Sequence, residues 1–186
     1  GEATVDGDRV EIQNGTASAL VQNHHPGDLT LGFVEGLRDH KPDEKVSYLQ
    51  WSTREPAREA KLITSITLSA ERDRERDRPV ITPIEGPEMV GVRVRGKSET
   101  TEIYLNLRSD GRKMHRNSCN VINGFETDAY LLALTWANTE ETATSLSFSR
   151  WLVAGGSYLR KAGRVLYDSL SKAYVGLVRQ NDELKI

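Results

Sequence analysis

The pair His24-His25 is the most concentrated group of metal-binding and proton-transferring side chains in the chain, which holds four histidines in all. Imidazole is a common zinc ligand and the side chain that titrates closest to neutral pH. Neighbours on a strand project to opposite faces, so both rings could reach one ion only if the backbone were locally distorted. One ring could join His40, His115 or an aspartate; the plainer reading is a strand-end histidine in a structural hydrogen bond. Neither a metal nor a cofactor is expected. The second constellation is Trp51 followed by Ser52-Thr53-Arg54-Glu55. An indole beside charged groups has the composition of a sugar-binding face, because the C–H side of a pyranose stacks on the ring while its hydroxyls take the polar neighbours. Trp51, Arg54, His24 and His25 are therefore the candidate carbohydrate-binding residues. The competing reading packs Trp51 in a core, as is expected of Trp136 and Trp151.

Signatures of catalysis are missing. The chain contains no G-x-S-x-G elbow, no H-E-x-x-H, no P-loop and no glycine-rich dinucleotide fingerprint. Cys119 is the single cysteine, so neither an intramolecular disulfide nor a cysteine-based zinc site can form, and it reads as a spare core thiol. Acidic residues are plentiful, yet no spacing singles out a glycosidase pair. No catalytic residue is assigned.

The elements that must position these residues are strands. Val10 and Ile12 alternate with charged neighbours before the turn Asn14-Gly15; Leu20 to His24 returns, and Leu29, Leu31 and Phe33 mark a third strand after Pro26-Gly27. A polar connection is expected from Gly36 to Lys45, then a strand from Val46 to Ser52. In the next run Leu62, Thr64, Ile66 and Leu68 alternate with Ile63, Ser65, Thr67 and Ser69, which predicts cover on at least one side and partly on both. Glu71 to Arg78, ERDRERDR, has no apolar face at any period and reads as an exposed, mobile loop. Val90, Val92 and Val94 then face one way, and Ile103, Leu105 and Leu107 oppose Glu102, Tyr104, Asn106 and Arg108. Asn120 to Ile122, the turn Asn123-Gly124 and the run Tyr130 to Trp136 predict a hairpin.

From Thr142 to Val178 further strands are expected: one around Leu146, Phe148 and Leu152, a hairpin about Lys161-Ala162-Gly163, and a last strand Ala173 to Val178 before a charged tail. Arg150 shares the phase of Leu146, Phe148 and Leu152, so either a bulge resets the register there or its guanidinium has a carboxylate partner. About a dozen strands at spacings of roughly 8–12 residues predict an all-β, antiparallel β-sandwich.

Composition narrows the partners. With 25 Lys plus Arg against 27 Asp plus Glu, the formal net charge of −2 argues against nucleic acid. No run approaches the roughly 18 apolar residues of a membrane span, so no membrane partner is expected. A length of 186 residues fits a single domain, 1–186. The opening Gly1, with a strand pattern within ten residues, suggests a piece excised from a longer protein.

The run GGSYLRKAGRVLYDSLSKAYVGLV, a Gly-Gly turn, a short strand, a glycine-bearing hairpin and a closing strand, resembles the C-terminal β-sandwich of heparinase II/III-like and alginate-lyase-like polysaccharide lyases. LQWSTREPAREAKLITSITL is similar to the place where that domain has a charged loop and then a strand. The resemblance covers most of the chain and consists of strands and turns. It implies a supersandwich-like fold and a secreted or periplasmic parent that cleaves uronate-containing polysaccharide by β-elimination. The main partner it implies is an N-terminal α/α-toroid of the same polypeptide, with acidic polysaccharide as a further candidate. In such enzymes a general base takes the C5 proton while a second group neutralises the carboxylate. Those residues lie mainly in the toroid and in a histidine-rich segment whose spacing His24-His25-Pro26-Gly27-Asp28 does not reproduce, so none is carried over. The chain alone is thus expected to be inactive, a distal sandwich supporting the toroid. A stand-alone carbohydrate-binding module is the alternative, and a structural or adhesive extracellular domain a third.

Overall fold

Period-two alternation becomes strand wherever it runs longer than a few residues. The computed structural model describes residues 2–25, 29–38, 41–58, 60, 62–70, 78–108, 120–122, 124–139, 150–168, 177–180 and 183–185. Among them there are seventeen strands and no helix, and every strand pairing is antiparallel. The strands not expected from the sequence are Glu2–Asp6, Val80–Glu85, Phe125–Thr127 and Glu183–Lys185, none longer than six residues. Two compact units divide the chain, Gly1–Arg78 and Pro79–Ile186.

In the first unit the strands are β1 (Glu2–Asp6), β2 (Arg9–Asn14), β3 (Ala17–His25), β4 (Leu29–Arg38), β5 (Lys41–Thr53) and β6 (Ile63–Ala70). Four of them form a sheet in the order β1-β2-β3-β6, while β4 and β5 pair as a separate ribbon. Two-residue turns join β1 to β2 and β2 to β3, each with a left-handed glycine first: Gly7 at φ 61° and Gly15 at φ 59°. The second turn is Gly15-Thr16, and Asn14 is the last residue of β2, a shift of one from the expected Asn14-Gly15. The polar connection expected from Gly36 to Lys45 is strand to Arg38 and again from Lys41. Tyr48 explains part of this: its ring lies across Gly36, where a Cβ would stand 2.6 Å from Cε2, and its hydroxyl donates to the Leu37 carbonyl at 3.0 Å. An aromatic ring laid over a strand glycine restores the packing that the glycine lacks.

The four-stranded sheet sorts its side chains by register into two faces. Ala3, Ile12, Ala19 and Leu68 make one cross-strand row, and Val5, Val10, Val21 and Ile66 the next. The opposite face carries Ser18, Gln22, Ser65, Thr67 and Ser69 with Arg9 and Glu11. Along β6 it is the hydroxyl face that is half-buried, whereas Ile66 and Leu68 are 66% and 76% exposed. The strand is covered on one side alone and not partly on both, and the covered side is its polar one. Arg78 contributes to that cover, donating to Glu11 at 2.7 Å and to Ser18 at 3.1 Å. That corrects the mobile-loop expectation for Arg78; residues 71–77 lie outside the described residues.

The second unit contains β7 (Val80–Glu85), β8 (Met89–Arg95), β9 (Glu99–Asn106), β10 (Asn120–Ile122), β11 (Phe125–Thr127), β12 (Leu131–Ala137), β13 (Arg150–Ala154), β14 (Tyr158–Lys161), β15 (Arg164–Asp168), β16 (Leu177–Gln180) and β17 (Glu183–Lys185). A seven-stranded sheet, β17-β16-β13-β12-β9-β8-β7, and a four-stranded sheet, β10-β11-β14-β15, share one core. Tyr104, Leu132, Leu134, Trp136 and Val153 from the larger sheet meet Phe125 and Leu159 from the smaller, the two-layer packing of a β-sandwich. Each fully buried aliphatic or aromatic side chain there stabilises by roughly 1.5–3 kcal/mol.

Two expectations change in this unit. β10 pairs with β11 around Gly124, at φ 77°, while the run ending at Trp136 joins the other sheet. The charged tail supplies β17, which pairs with β16 from Val178 to Gln180. On β9 it is Thr100, Glu102, Tyr104 and Asn106 that are buried, and Ile103 and Leu105 that are half-buried. Leu146, Phe148, Cys119 and residues 173–176 lie outside the described residues, as does the side chain of Trp151.

The hairpin about Ala162-Gly163 has the expected position, and both turn residues have positive φ, 49° and 75°. Such a turn suits Asn-Gly, because an alanine Cβ is crowded in left-handed backbone. Ala162→Asn should therefore stabilise the protein by about 1 kcal/mol. Urea unfolding checks this; an unchanged or lower midpoint would show that the turn is not strained.

Candidate functional site

Chain connectivity brings the sequence-predicted residues to one end of a single construction, the root of a two-stranded ribbon. β3 ends at His25 and β4 begins at Leu29; β5 ends at Thr53 and β6 begins at Ile63; and His25 pairs with Ile63. The β4–β5 ribbon is thus inserted between two adjacent strands of the sheet, with His24 and His25 at its root. A β-bulge lies at this point, for the β3–β6 register slips between Asn23 and His25 and leaves His24 as the additional residue. It supplies the backbone distortion that regular alternation lacks, and both imidazoles are buried, at 7% and 4% exposure.

His24 Nε2 is 2.9 Å from Ser65 Oγ on β6, a bond whose donor depends on the tautomer. Burial pulls His24 below its ordinary value of 6.5; the Asp8 carboxylate pulls the other way, and His25 adds to the lowering. Asp8 also meets Arg9, with Nε 3.9 Å from Oδ1, and its carbonyl accepts the Asn23 N–H at 3.4 Å. Among the described residues no three His, Cys, Asp or Glu side chains are grouped so as to hold a metal ion. His40 and His115 lie outside the described residues.

Trp51 sits on β5 opposite Leu31, and Phe33 opposite Leu49, so these four share one face of the ribbon. Trp51 is half-buried, and its Nε1 has no hydrogen-bond partner among the described residues. Phe33 is 46% exposed on the same face, while Tyr48 belongs to the other. Arg54 is exposed just beyond β5. The ribbon therefore offers two aromatics on one face in place of a row along a sheet.

Two buried carboxylate clusters escaped the sequence reading. Glu102, 1% exposed, accepts Arg93 Nε at 2.7 Å and Nη2 at 2.6 Å on Oε1, and the Tyr104 hydroxyl donates to Oε2. Asp128, wholly buried, accepts the Ser157 N–H at 2.7 Å, the Ser157 hydroxyl at 2.6 Å and the Tyr158 N–H at 3.3 Å. In both, each carboxylate oxygen is already engaged by the protein, the arrangement of structural rather than reacting groups. Arg150 has the carboxylate partner that its phase called for, Glu99.

Comparison with protein-family models and with curated protein sequences returns no match. No helix among the described residues is long and apolar enough to cross a membrane.

Proposed function

We propose that this chain is a non-catalytic β-sandwich region of a heparinase II/III-like polysaccharide lyase, secreted or periplasmic, which supports an α/α-toroid of the same polypeptide and walls its polysaccharide cleft. The strand-and-turn resemblance supplies the family. The observation that favours a supporting role over glycan targeting is the aliphatic face of the β1-β2-β3-β6 sheet. Its two rows carry no charge, and Ile66 and Leu68 are largely exposed on its outermost strand. Val10 and Val21 in the middle of the face are buried, so the exposed part is the strip formed by Ile66 and Leu68 with Val5 and Ile12. Exposed apolar surface of this kind marks a place that meets other protein. Ile and Leu give poor stacking for sugar rings, which prefer aromatic faces.

The purified chain, screened against alginate, heparin, heparan sulfate, chondroitin and pectin while unsaturated product is followed by ultraviolet absorbance, should neither bind nor cleave. It should bind an apolar dye such as anilinonaphthalene sulfonate, and Ile66→Thr with Leu68→Thr should remove most of that signal. Product formation would refute a non-catalytic role. Glycan binding lost in Trp51→Ala would instead favour the carbohydrate-binding module, with Trp51 and Phe33 as its stacking surface.

A further inference from the structure

We propose that the His24-His25 bulge is an acid-sensitive latch at the root of the β4–β5 ribbon: the neutral His24 imidazole holds β6 to β3 at the His25–Ile63 end, and its protonation releases that end. This inference is independent of any glycan chemistry. It begins with topology, since both ribbon connections leave the sheet where His25 pairs with Ile63. The pair therefore lies at the root of the ribbon.

The seam is weakest where the bulge interrupts it. A bulge leaves a residue out of the ladder, so side chains must supply part of the hold. One such hold is the contact of His24 Nε2 with Ser65 Oγ, between residues 41 apart in sequence. At the other end of β3 the seam has additional support, for Ser18 and Ser69 bond each other at 2.9 Å and Arg78 donates to Ser18. Loosening should therefore begin at Ile63 and fade towards Ser69.

A charged imidazole is poorly accommodated in this position. The ionisable groups acting on His24 are Asp8 from the β1–β2 turn and His25 from its own strand. Asp8 favours the charged form, but its carboxylate is more than half exposed and faces Arg9; His25 opposes it. From β6 the facing group is the neutral Ser65 hydroxyl, and β2 places Arg9 opposite Gln22. Desolvation is the largest influence and lowers the pKa in the closed seam. The open form consequently binds more protons as pH falls through 6.5, and closure weakens from there down to the lowered value of the closed form. Above that window the latch is insensitive to pH.

Amide hydrogen exchange resolved by residue, expressed as protection factors, tests this in the whole chain at about pH 7.5 and about pH 5. Protection of Ile63, Thr64 and Ser65 should fall several-fold at the lower pH while that of Leu68 and Ser69 holds. His24→Gln keeps a hydrogen-bonding side chain for Ser65 but cannot titrate, and should abolish the difference. Uniform loss along β6, no loss, or a loss that persists in His24→Gln would each overturn the latch. If His24→Gln does not fold, the His24 ring is titrated by NMR in the unaltered chain. A midpoint below 6.5 that tracks the loss of protection supports the latch, and a midpoint at or above 6.5 overturns it.

Discussion

Replacing Asp128 by alanine should destabilise the second unit by about 4 kcal/mol, lowering its thermal midpoint by on the order of 10 °C. The substitution strips the acceptor from two buried N–H groups, those of Ser157 and Tyr158, and from the Ser157 hydroxyl. Each stranded donor costs about 1–3 kcal/mol, since water cannot replace the lost partner. The surroundings allow little relaxation: a Cβ added to Gly156 would stand 2.8 Å from both Ala129 and Val153. Asp128→Asn should lose roughly 1–2 kcal/mol, because its carbonyl oxygen still accepts both N–H groups while the Ser157 hydroxyl turns to accept from the amide. Calorimetry on the three proteins decides. Equal midpoints for Asp128→Ala and the unaltered chain would mean that the turn after β13 is not held by this carboxylate.

The second large effect belongs to Arg93. Arg93→Met should cost about 3 kcal/mol, because it leaves Glu102 buried opposite an apolar side chain. Arg93 is itself half exposed, so water reaches part of the site and the loss falls at the lower end of the range for breaking a buried pair. Removing the carboxylate as well, with Arg93→Met and Glu102→Met and then Tyr104→Phe to take away the stranded hydroxyl, should recover most of the stability. A double-mutant cycle measured by urea unfolding should give a coupling of about 2 kcal/mol. Strict additivity of the Arg93 and Glu102 substitutions would sink the idea that they act as a unit.

That pair shows how far the sequence could be read. Both strands are evident from alternation, Val90 to Val94 in one and Ile103 to Leu107 in the other. The partners are not, because they depend on where the turn is centred. With Gly96 to Ser98 between the strands, the register sets Arg93 opposite Glu102. A search for cross-strand opposite charges about that turn would have found it. Apolar alternation does not say which face of β9 is the more buried; it is the one that carries Glu102 and Asn106, since the sandwich core requires Tyr104 on that side. Asp128 left no trace. An Asp between Thr127 and Ala129 looks like any turn residue, and its partners lie 29 and 30 residues further on. At the ribbon root the His24-His25 pair was visible and its structural hydrogen bond was weighed, but the bulge that buries both rings comes from strand register, which local sequence does not encode.

The insertion of the ribbon also sets an order of assembly. β1, β2 and β3 are joined by two-residue turns and can zip as soon as they are made. β3 must then wait with one edge unpaired while the whole of β4 and β5 is added, because its partner β6 comes after them. The entropy of closing that loop has to be met before any β3–β6 contact returns stability, although pairing the ribbon first shortens the span left to close. During that wait the open edge and the aliphatic rows beside it are at their most vulnerable to pairing with another chain. β3 carries no Lys, Arg, Asp, Glu or proline to discourage such pairing, so rapid formation of the ribbon protects the nascent sheet as well as bringing its last strand home.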